Sequence, residues 1–545
     1  MTMKEVSKSR SSKFQATLSD RLVGVFSPRA EFERIRYRGA TTMLTGGYKA
    51  ADKTRRSTKK WGVRSGSADA DTIPYLDDLR ARSRDLIRNA PLAAGAINTV
   101  VTNTVGTGLM PQSTPDKDFL LQNGVSEEVI EAFHTAAEFI FWFWASNVHC
   151  DLSRSQNFKD MQSLVLRSSM ESGDCFTVHR MKSRAGRRYK TALQIIEADR
   201  VENPKGQMTD TARLTCGVQR GSDGDAEGYY FLKEHPGHAR VVKGRYETDF
   251  IPAYYSTGDW QVLHHFIKLR PEQTRGVPYL APVIEIFKQL DRYTEAEIDA
   301  AVVSAMFTVF VKTENGEGIG NLAEGDSKGA LNDGEIRLGN AAIIDLMQGE
   351  EIDIANPGRP NQAFDPFVLA ILRQIGVALE IPFELLVKHF TASYSAAQAA
   401  IVEAWKFFKA RRSWLADTFC QPVYEAVIME AVALGDIHAP GFFTNPMMRA
   451  AWLGTEWIGP PRGVIDMRKE VEAYKEMEDR QWKTSAEITA ELTGGDWIHK
   501  AQVRAKEEAF RRDNGLKTET TLEGADANGV QENTDGESDD RPEKN

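Results

Sequence analysis

An α+β chain built from several lobes is what this sequence predicts, on three observations. At roughly 150 residues per domain, 545 residues should divide into three or four lobes, each with its own core. Residues 175–269 read as short alternating runs parted by Gly, Pro and Asp (CFTVHRM, TALQIIEADRV, GYYFLKE, ARVVKGRYE, WQVLHHFIKL), the pattern of half-buried strands. The flanking text has helical periods, and from Pro282 to Phe307 it runs unbroken for 26 residues, about 39 Å of helix at 1.5 Å per residue.

Taken in order, residues 1–70 are rich in Ser, Arg, Lys and Gly and are expected to be a basic, loosely ordered arm. From Thr72 the apolar spacing turns helical, with Leu76, Leu79, Leu86 and Ile87, then an apolar helix after Pro91 that Gly106 and Gly108 should stop. Ser126 should cap a helix bearing Val129, Ile130, Phe133, Ala137, Ile140 and Trp144, with Trp142 and Trp144 in the core. A third helix, Phe158 to Met170, should end at Gly173, and the strand-rich text completes a lobe at 71–281. The helix at 282–307 carries Ile284, Phe287, Leu290, Ile298 and Val302 among charged residues, as a strut would.

Residues 308–364 are a Gly-, Asn- and Asp-rich insertion with strand candidates at IRLGNAAIIDL and GEEIDIA. A buried helix follows at 365–381, then a polar loop at 382–394 holding Lys388, His389, Ser393 and Tyr394. The longest helical pattern, within 395–440, has Pro422 deep inside it, where a proline should kink the helix. Helical text fills 441–512, and 513–545 read as an acidic disordered tail.

Charge is polarised along the chain. The net is −9, but residues 1–70 hold 16 basic and 6 acidic residues and 513–545 hold 3 basic and 10 acidic, which leaves −12 for the body. An acidic body argues against tight, sequence-reading DNA binding, which rests on phosphate neutralisation. Four cysteines (Cys150, Cys175, Cys216, Cys420), without a C-x-x-C pair, give neither a disulfide framework nor a zinc spacing. The most apolar runs, Phe139–Ala145 and Ala300–Val311, fall short of the about 18 residues a membrane span needs. The basic N-terminus precedes no apolar run of signal-peptide length, so the chain is expected to stay in the cytosol or in a particle assembled there.

No G-x-x-x-x-G-K-[ST] string exists to cradle nucleotide phosphates, and no G-x-S-x-G elbow or H-E-x-x-H pair occurs. His264 and His265 are adjacent in a strand pattern and so point to opposite faces, which keeps them from sharing one metal. The expectation is therefore no enzyme, no catalytic or metal-binding residues and no cofactor.

Five strings then stand in a telling order. They are Arg82-Ser-Arg-Asp-Leu-Ile-Arg-Asn-Ala-Pro91 with Ala96-Ile-Asn-Thr99; Asp199-Arg-Val-Glu-Asn-Pro204; Gln273-Thr-Arg-Gly-Val277; Ser393-Tyr-Ser-Ala-Ala397 leading into Glu403-Ala-Trp-Lys-Phe-Phe408; and Trp457-Ile-Gly459 with Ile465-Asp466 after it. With the order of elements, they resemble the lambda-type family of tailed-bacteriophage portal proteins over roughly residues 70–512. The resemblance implies a ring, usually of twelve subunits, at one capsid vertex of the virion, assembled in the bacterial cytoplasm, through which double-stranded DNA is packaged and ejected without sequence specificity. It implies a multi-lobed portal fold: an α/β wing at 71–281, stem helices at 282–307 and 365–381, a small α/β clip at 308–364, a tunnel loop at 382–394, a long kinked wing helix at 395–440 and a helical crown at 441–512. It further implies that Lys388, His389, Ser393 and Tyr394 face DNA. Clip residues such as Glu324, Asp326 and Lys328 would meet the large terminase subunit and later the head-to-tail adaptor, while the major capsid or a scaffold protein surrounds the ring. The other reading the sequence leaves open is a different ring-forming virion subunit, such as an adaptor or tail-tube protein.

Overall fold

The computed structural model describes residues 68–516, with breaks at 205–206, 208, 239–246, 306–308, 314–349, 355–363, 390–393, 464–465 and 496, and before them residues 23, 25, 27–44, 56–63 and 65–67. Two units divide between Ser67 and Ala68. In the first, part of the stretch read as a loosely ordered arm is helix α1 (Pro28–Leu44). Proline suits a first helical position, because its fixed φ is already helical and its missing N–H would have been unpaired there. The Ser27 hydroxyl accepts from the Ala30 amide at 3.5 Å, and Glu31 sits in the first turn, where the helix dipole favours an anion.

The second unit opens with α2 (Leu76–Asn89) and α3 (Pro91–Thr104). Leu76, Arg80, Ser83 and Leu86 recur every three or four residues on the buried face of α2, so that face contains a charge from the outset. After β1 (Met110–Ser113) comes α4 (Glu127–Ala145), burying Ile130, Phe133, Ala137, Ile140 and Trp144 as its spacing predicts. Trp142 is corrected to the surface, half exposed, because it lies two residues from Trp144 and so on another helix face. Ser126 occupies the N-cap position of α4, but its hydroxyl makes no capping bond. Next is α5 (Phe158–Ser172), capped by Asn157, whose side-chain oxygen accepts from the Asp160 amide at 3.0 Å. It stops at Gly173, whose φ of +92° few other residues adopt.

Among the described residues seven strands fill the region expected to be strand-rich, and the strand candidate ARVVKGRYE lies outside the described residues but for its last residue. β2 (Asp174–Met181) is the centre of a three-stranded antiparallel sheet between β3 (Thr191–Glu197) and β8 (Val262–Phe266). Between them in the chain, β4 (Leu214–Thr215), β5 (Val218–Arg220), β6 (Ala226–Leu232) and β7 (Thr248–Pro252) make a second antiparallel sheet in sequence order. A small core of Phe176, Val178, Val201, Tyr229, Phe231 and Ile251 lies between the sheets. The larger core is helical, and Phe133 against Trp452 at 4.6 Å and Phe158 against Phe419 at 5.2 Å join its early and late helices.

The strut is α6 (Ile284–Ala305), entered through a 3-10 turn at Ala281–Val283 that absorbs Pro282. Its 22 residues span about 33 Å. Of the insertion the structure describes an antiparallel ribbon, β9 (Val309–Thr313) with β10 (Glu350–Ile354), in which Val311 faces Ile352. The strand candidate IRLGNAAIIDL lies outside the described residues. α7 (Phe364–Ala378) returns, a short α8 (Phe383–Val387) follows, and α9 (Tyr394–Leu415) passes through a π-helical turn at Ala416–Cys420 into α10 (Gln421–Ala433).

After α11 (Pro446–Trp452), β11 (Thr455–Ile458) pairs antiparallel with β1, placing Trp457 opposite Pro111. The last helices are α12 (Met467–Asp479), α13 (Ser485–Thr493) and α14 (Trp497–Asp513), none with a buried residue. Among the described residues no helix is long and apolar enough to cross a membrane.

Candidate functional site

Two of the five strings, Gln273–Val277 and Asp199–Pro204, are tied through Arg275 to one buried charge, and a third stands beside it through Arg84. Asp174 opens β2 directly after the Gly173 turn, and its carboxylate is fully buried. Arg275 donates to it from Nε at 2.6 Å and Arg80 from Nη2 at 2.8 Å, and the Gly276 amide adds a bond at 3.2 Å. His264 Nε2 lies 3.0 Å from Oδ2, where an N–H donates to the carboxylate, and burial pushes this imidazole down from its ordinary value. Burial alone would push Asp174 up, but Arg275, Arg80 and His264 hold it well below the usual carboxylate range.

Arg275 is as buried as its partner and spends its remaining donors on main-chain carbonyls, those of Val201 at 3.0 Å, Cys216 at 2.8 Å and Ala198 at 2.8 Å. One guanidinium thereby ties β2, the turn after β3 and the turn between β4 and β5 to the segment that leads into α6. Alongside, Arg84 binds the Asp199 carboxylate in a fork and reaches Glu197 at 2.8 Å and the Ser172 hydroxyl at 2.9 Å. Glu197, Asp199 and His235 bring donor atoms within 4.8 Å of one another, a spacing a cation could use. The Arg84 guanidinium already supplies positive charge to both carboxylates, so the cluster fits an ion-pair network and not a metal centre.

The other two strings meet at Arg412 on α9. Its guanidinium stacks over Trp405 at 5.1 Å and donates to the carbonyls of Thr104 at 3.2 Å, Asn103 at 3.3 Å and Pro460 at 2.9 Å. Burial pulls it down to about 10. A Cβ on Gly459 would stand 2.5 Å from Arg412 Nε, which accounts for a glycine after Trp457 and Ile458.

Between these hubs the long helices are rooted by Tyr279. Its amide donates to the Met170 carbonyl at 2.8 Å and its hydroxyl to the Leu379 carbonyl just after α7. Its ring stacks on Phe407 of α9 at 6.2 Å, with the Arg411 guanidinium 4.9 Å from the Phe407 ring centre. A single side chain thus binds the approach to α6, the end of α7 and the middle of α9.

Of the residues the resemblance singles out, Lys388 and His389 are exposed between α8 and α9. Lys388 ends α8 with a left-handed φ of 56°, and the His389 amide donates to the Glu384 carbonyl at 3.1 Å. The loop expected from 382 to 394 is corrected: Pro382 starts a helical turn through Val387 that buries Leu386, and Tyr394 is already the first residue of α9. Ser393, Glu324, Asp326 and Lys328 lie outside the described residues. Pro422 is the second residue of α10, directly behind the π turn, and its carbonyl accepts from Trp260 Nε1 at 3.0 Å. A π turn is one way to relieve the clash of a proline ring with the preceding turn.

Comparison with known proteins follows this geometry. A model of the lambda family of phage portal proteins matches residues 54–412, a span that includes the Asp174 hub, α6, α7 and most of α9. Portal protein B of Escherichia phage lambda is 26% identical over 504 residues, covering 88% of this chain and 93% of that protein. The portal protein of Escherichia phage N15 is 26% identical over 501 residues with the same coverage. Among solved structures, a chain of the neck of an empty gene transfer agent particle aligns at a TM-score of 0.39 with 14% identity, covering 77% of this chain and 94% of that one. A chain of the native gene transfer agent virion aligns at 0.37 with 14% identity, covering 72% and 93%.

Proposed function

The chain belongs to the lambda family of phage portal proteins, and we propose on that footing that its copies close into a ring, most simply of twelve, at one vertex of a capsid assembled in the host cytoplasm. Double-stranded DNA passes through the ring into the head during packaging and out of it during ejection. The observation that carries this reading is the extent of the family match, which runs from residue 54 in the basic arm to residue 412 in α9. The charge agrees with it. A conduit must let a polyanion slide, and a body of net charge −12 offers DNA few fixed phosphate contacts. The purified protein is expected to form closed rings with a central hole on negative-stain grids, and a monomer at micromolar concentration at every ionic strength would refute it.

Within that ring we assign α6 and α7 to the stem, the 308–364 insertion to the clip, and the segment from Lys388 to Tyr394 to the part that meets DNA. The support for the last is local. α8 and α9 are packed on either side, while Lys388 and His389 project as exposed polar residues. Deleting His389 to Thr391 is expected to leave rings intact and to reduce packaged DNA, and unaltered packaging would remove the segment from the DNA path. The clip is assigned to the terminase large subunit and then the head-to-tail adaptor, with the capsid or scaffold protein at the outer margin. Reversing the charges of Glu324, Asp326 and Lys328 together should weaken terminase pull-down while light scattering still reports rings.

A further inference from the structure

Two surfaces on the long helices, one in the far half of α6 and one beside the Tyr279 root, match in shape and carry opposite charges, and among the described residues nothing covers either. On α6, Glu295, Ile298, Asp299 and Val302 are all exposed, Ile298 by 59% and Val302 by 49%. Their spacing of three, four and seven puts them on one stripe of the helix, two apolar side chains bordered by two carboxylates. The stripe lies away from the α6 side that buries Leu290 and turns Tyr293 onto Phe364 and Phe367 of α7. A helix wetted on two adjacent branched residues lacks a covering element.

The second surface is an open groove of about 770 Å³ between the end of α7, the start of α8 and α9. Its apolar wall includes Val377, which is 81% exposed, with Phe383, Ala400 and Phe407. Arg373, Lys406, Glu380 and Glu403 border it. Glu403 is paired with Lys406 at 2.7 Å, and the charge of Glu380 acts on Arg411 behind Phe407. Arg373 lies over the Phe383 ring at 5.3 Å, and among the described residues no carboxylate stands within ion-pair distance of it. Among the described residues the groove therefore carries a cation with no carboxylate partner. Its Lys406–Glu403 pair is exposed and three residues apart on one helix, a weak kind of pair that is easily exchanged.

We propose that the α6 stripe of one copy seats in the α7–α8–α9 groove of the next, with Ile298 and Val302 against Val377 and Phe383, and Glu295 and Asp299 facing Lys406 and Arg373. The contact is heterologous, since a different patch is used on each side, and heterologous contacts generate rings when the rotation closes. It rests on the ring reading above and names the surfaces that would close it. Charge of this kind fixes which surfaces meet, because like charges brought together across an interface repel and suppress the wrong pairing.

The test uses two double variants of the full chain. In Glu295→Arg/Asp299→Arg the stripe becomes positive; in Arg373→Glu/Lys406→Glu the groove becomes negative. All four positions are exposed or at the groove edge, so both variants should keep the thermal melt of the parent protein. Each alone is expected to need about a hundredfold higher concentration to form rings. Mixed in equal amounts they should close into rings of alternating copies, because the positive stripe then meets the negative groove and the parental stripe meets the parental groove. One chain carrying all four changes should also assemble, which covers rings of odd number. A stripe variant that closes normally by itself would place the stripe on open surface, such as the lumen, and overturn the proposal. Two variants that both fail, together with a mixture and a quadruple variant that also fail, would overturn it equally. Parent protein that never forms rings would instead sink the ring reading.

Discussion

Replacing Asp174 with alanine is expected to destabilise the folded chain by about 3–5 kcal/mol, the range found when one partner of a buried ion cluster is removed. The magnitude follows from what remains. Arg275 is fully buried and Arg80 nearly so, and both would face each other without the carboxylate that neutralises them. Arg275 keeps three carbonyls on its Nη atoms, but its Nε loses the Asp174 partner and its charge is left unmatched. A urea midpoint within error of the parent would show that the cluster contributes nothing net. The pH dependence has a definite sign. Asp174 is held well below its unfolded value, so its contribution is complete above about pH 4, the ordinary aspartate range, and is lost as pH falls towards the depressed folded value. The acid limb of the stability curve should therefore be shallower in Asp174→Ala than in the parent.

Gly276→Ala is the second large effect. A Cβ there would stand 2.0 Å from the Gly173 carbonyl oxygen and 2.5 Å from its carbon, and backbone atoms cannot swing aside as a flexible side chain can. Gly173 is itself fixed at a φ of +92° by the end of α5. The two strands of chain would have to part, and the Gly276 amide would leave Asp174, so a loss of about 3 kcal/mol or more is expected. Gly95→Ala is the control. Its Cβ would meet nothing within 4 Å in the interior of α3, and alanine there should stabilise by about 0.4–1 kcal/mol. Thermal melts of the two variants should move in opposite directions, and a Gly276→Ala protein that melts with the parent would show that the crossing has slack.

The local elements were legible because their signals are local. Pro91 starts α3, Gly173 ends α5, and the strand text from 175 to 269 does contain the strands of both sheets. The partners of Asp174 could not be read, since Arg80 is 94 and Arg275 101 residues away and only folding brings them together. Arg275 lies inside one of the five strings and Arg80 two residues before another, but a string does not say that an arginine is buried. The clearest available hint was a carboxylate placed between Gly173 and the apolar run Cys175-Phe-Thr-Val178. The pairing of β1 with β11, more than 340 residues apart, left no periodic trace for the same reason. Pro422 did announce a disturbance in the long helix, yet the form it took, five residues wound with one extra peptide per hydrogen bond, depends on what α9 and α10 pack against. Trp142 misled because hydrophobicity was read without its helix face.

Tyr279 has a mechanical consequence. It clamps the base of a rod about 33 Å long, so the tip of α6 moves with a lever arm far longer than the contact that holds it. A rotation of about 5° at the root would swing the far end by about 3 Å, close to one hydrogen-bond length. The ribbon of β9 and β10, whose first strand begins four residues beyond that end, would be steered by changes too small to disturb the core around Phe407.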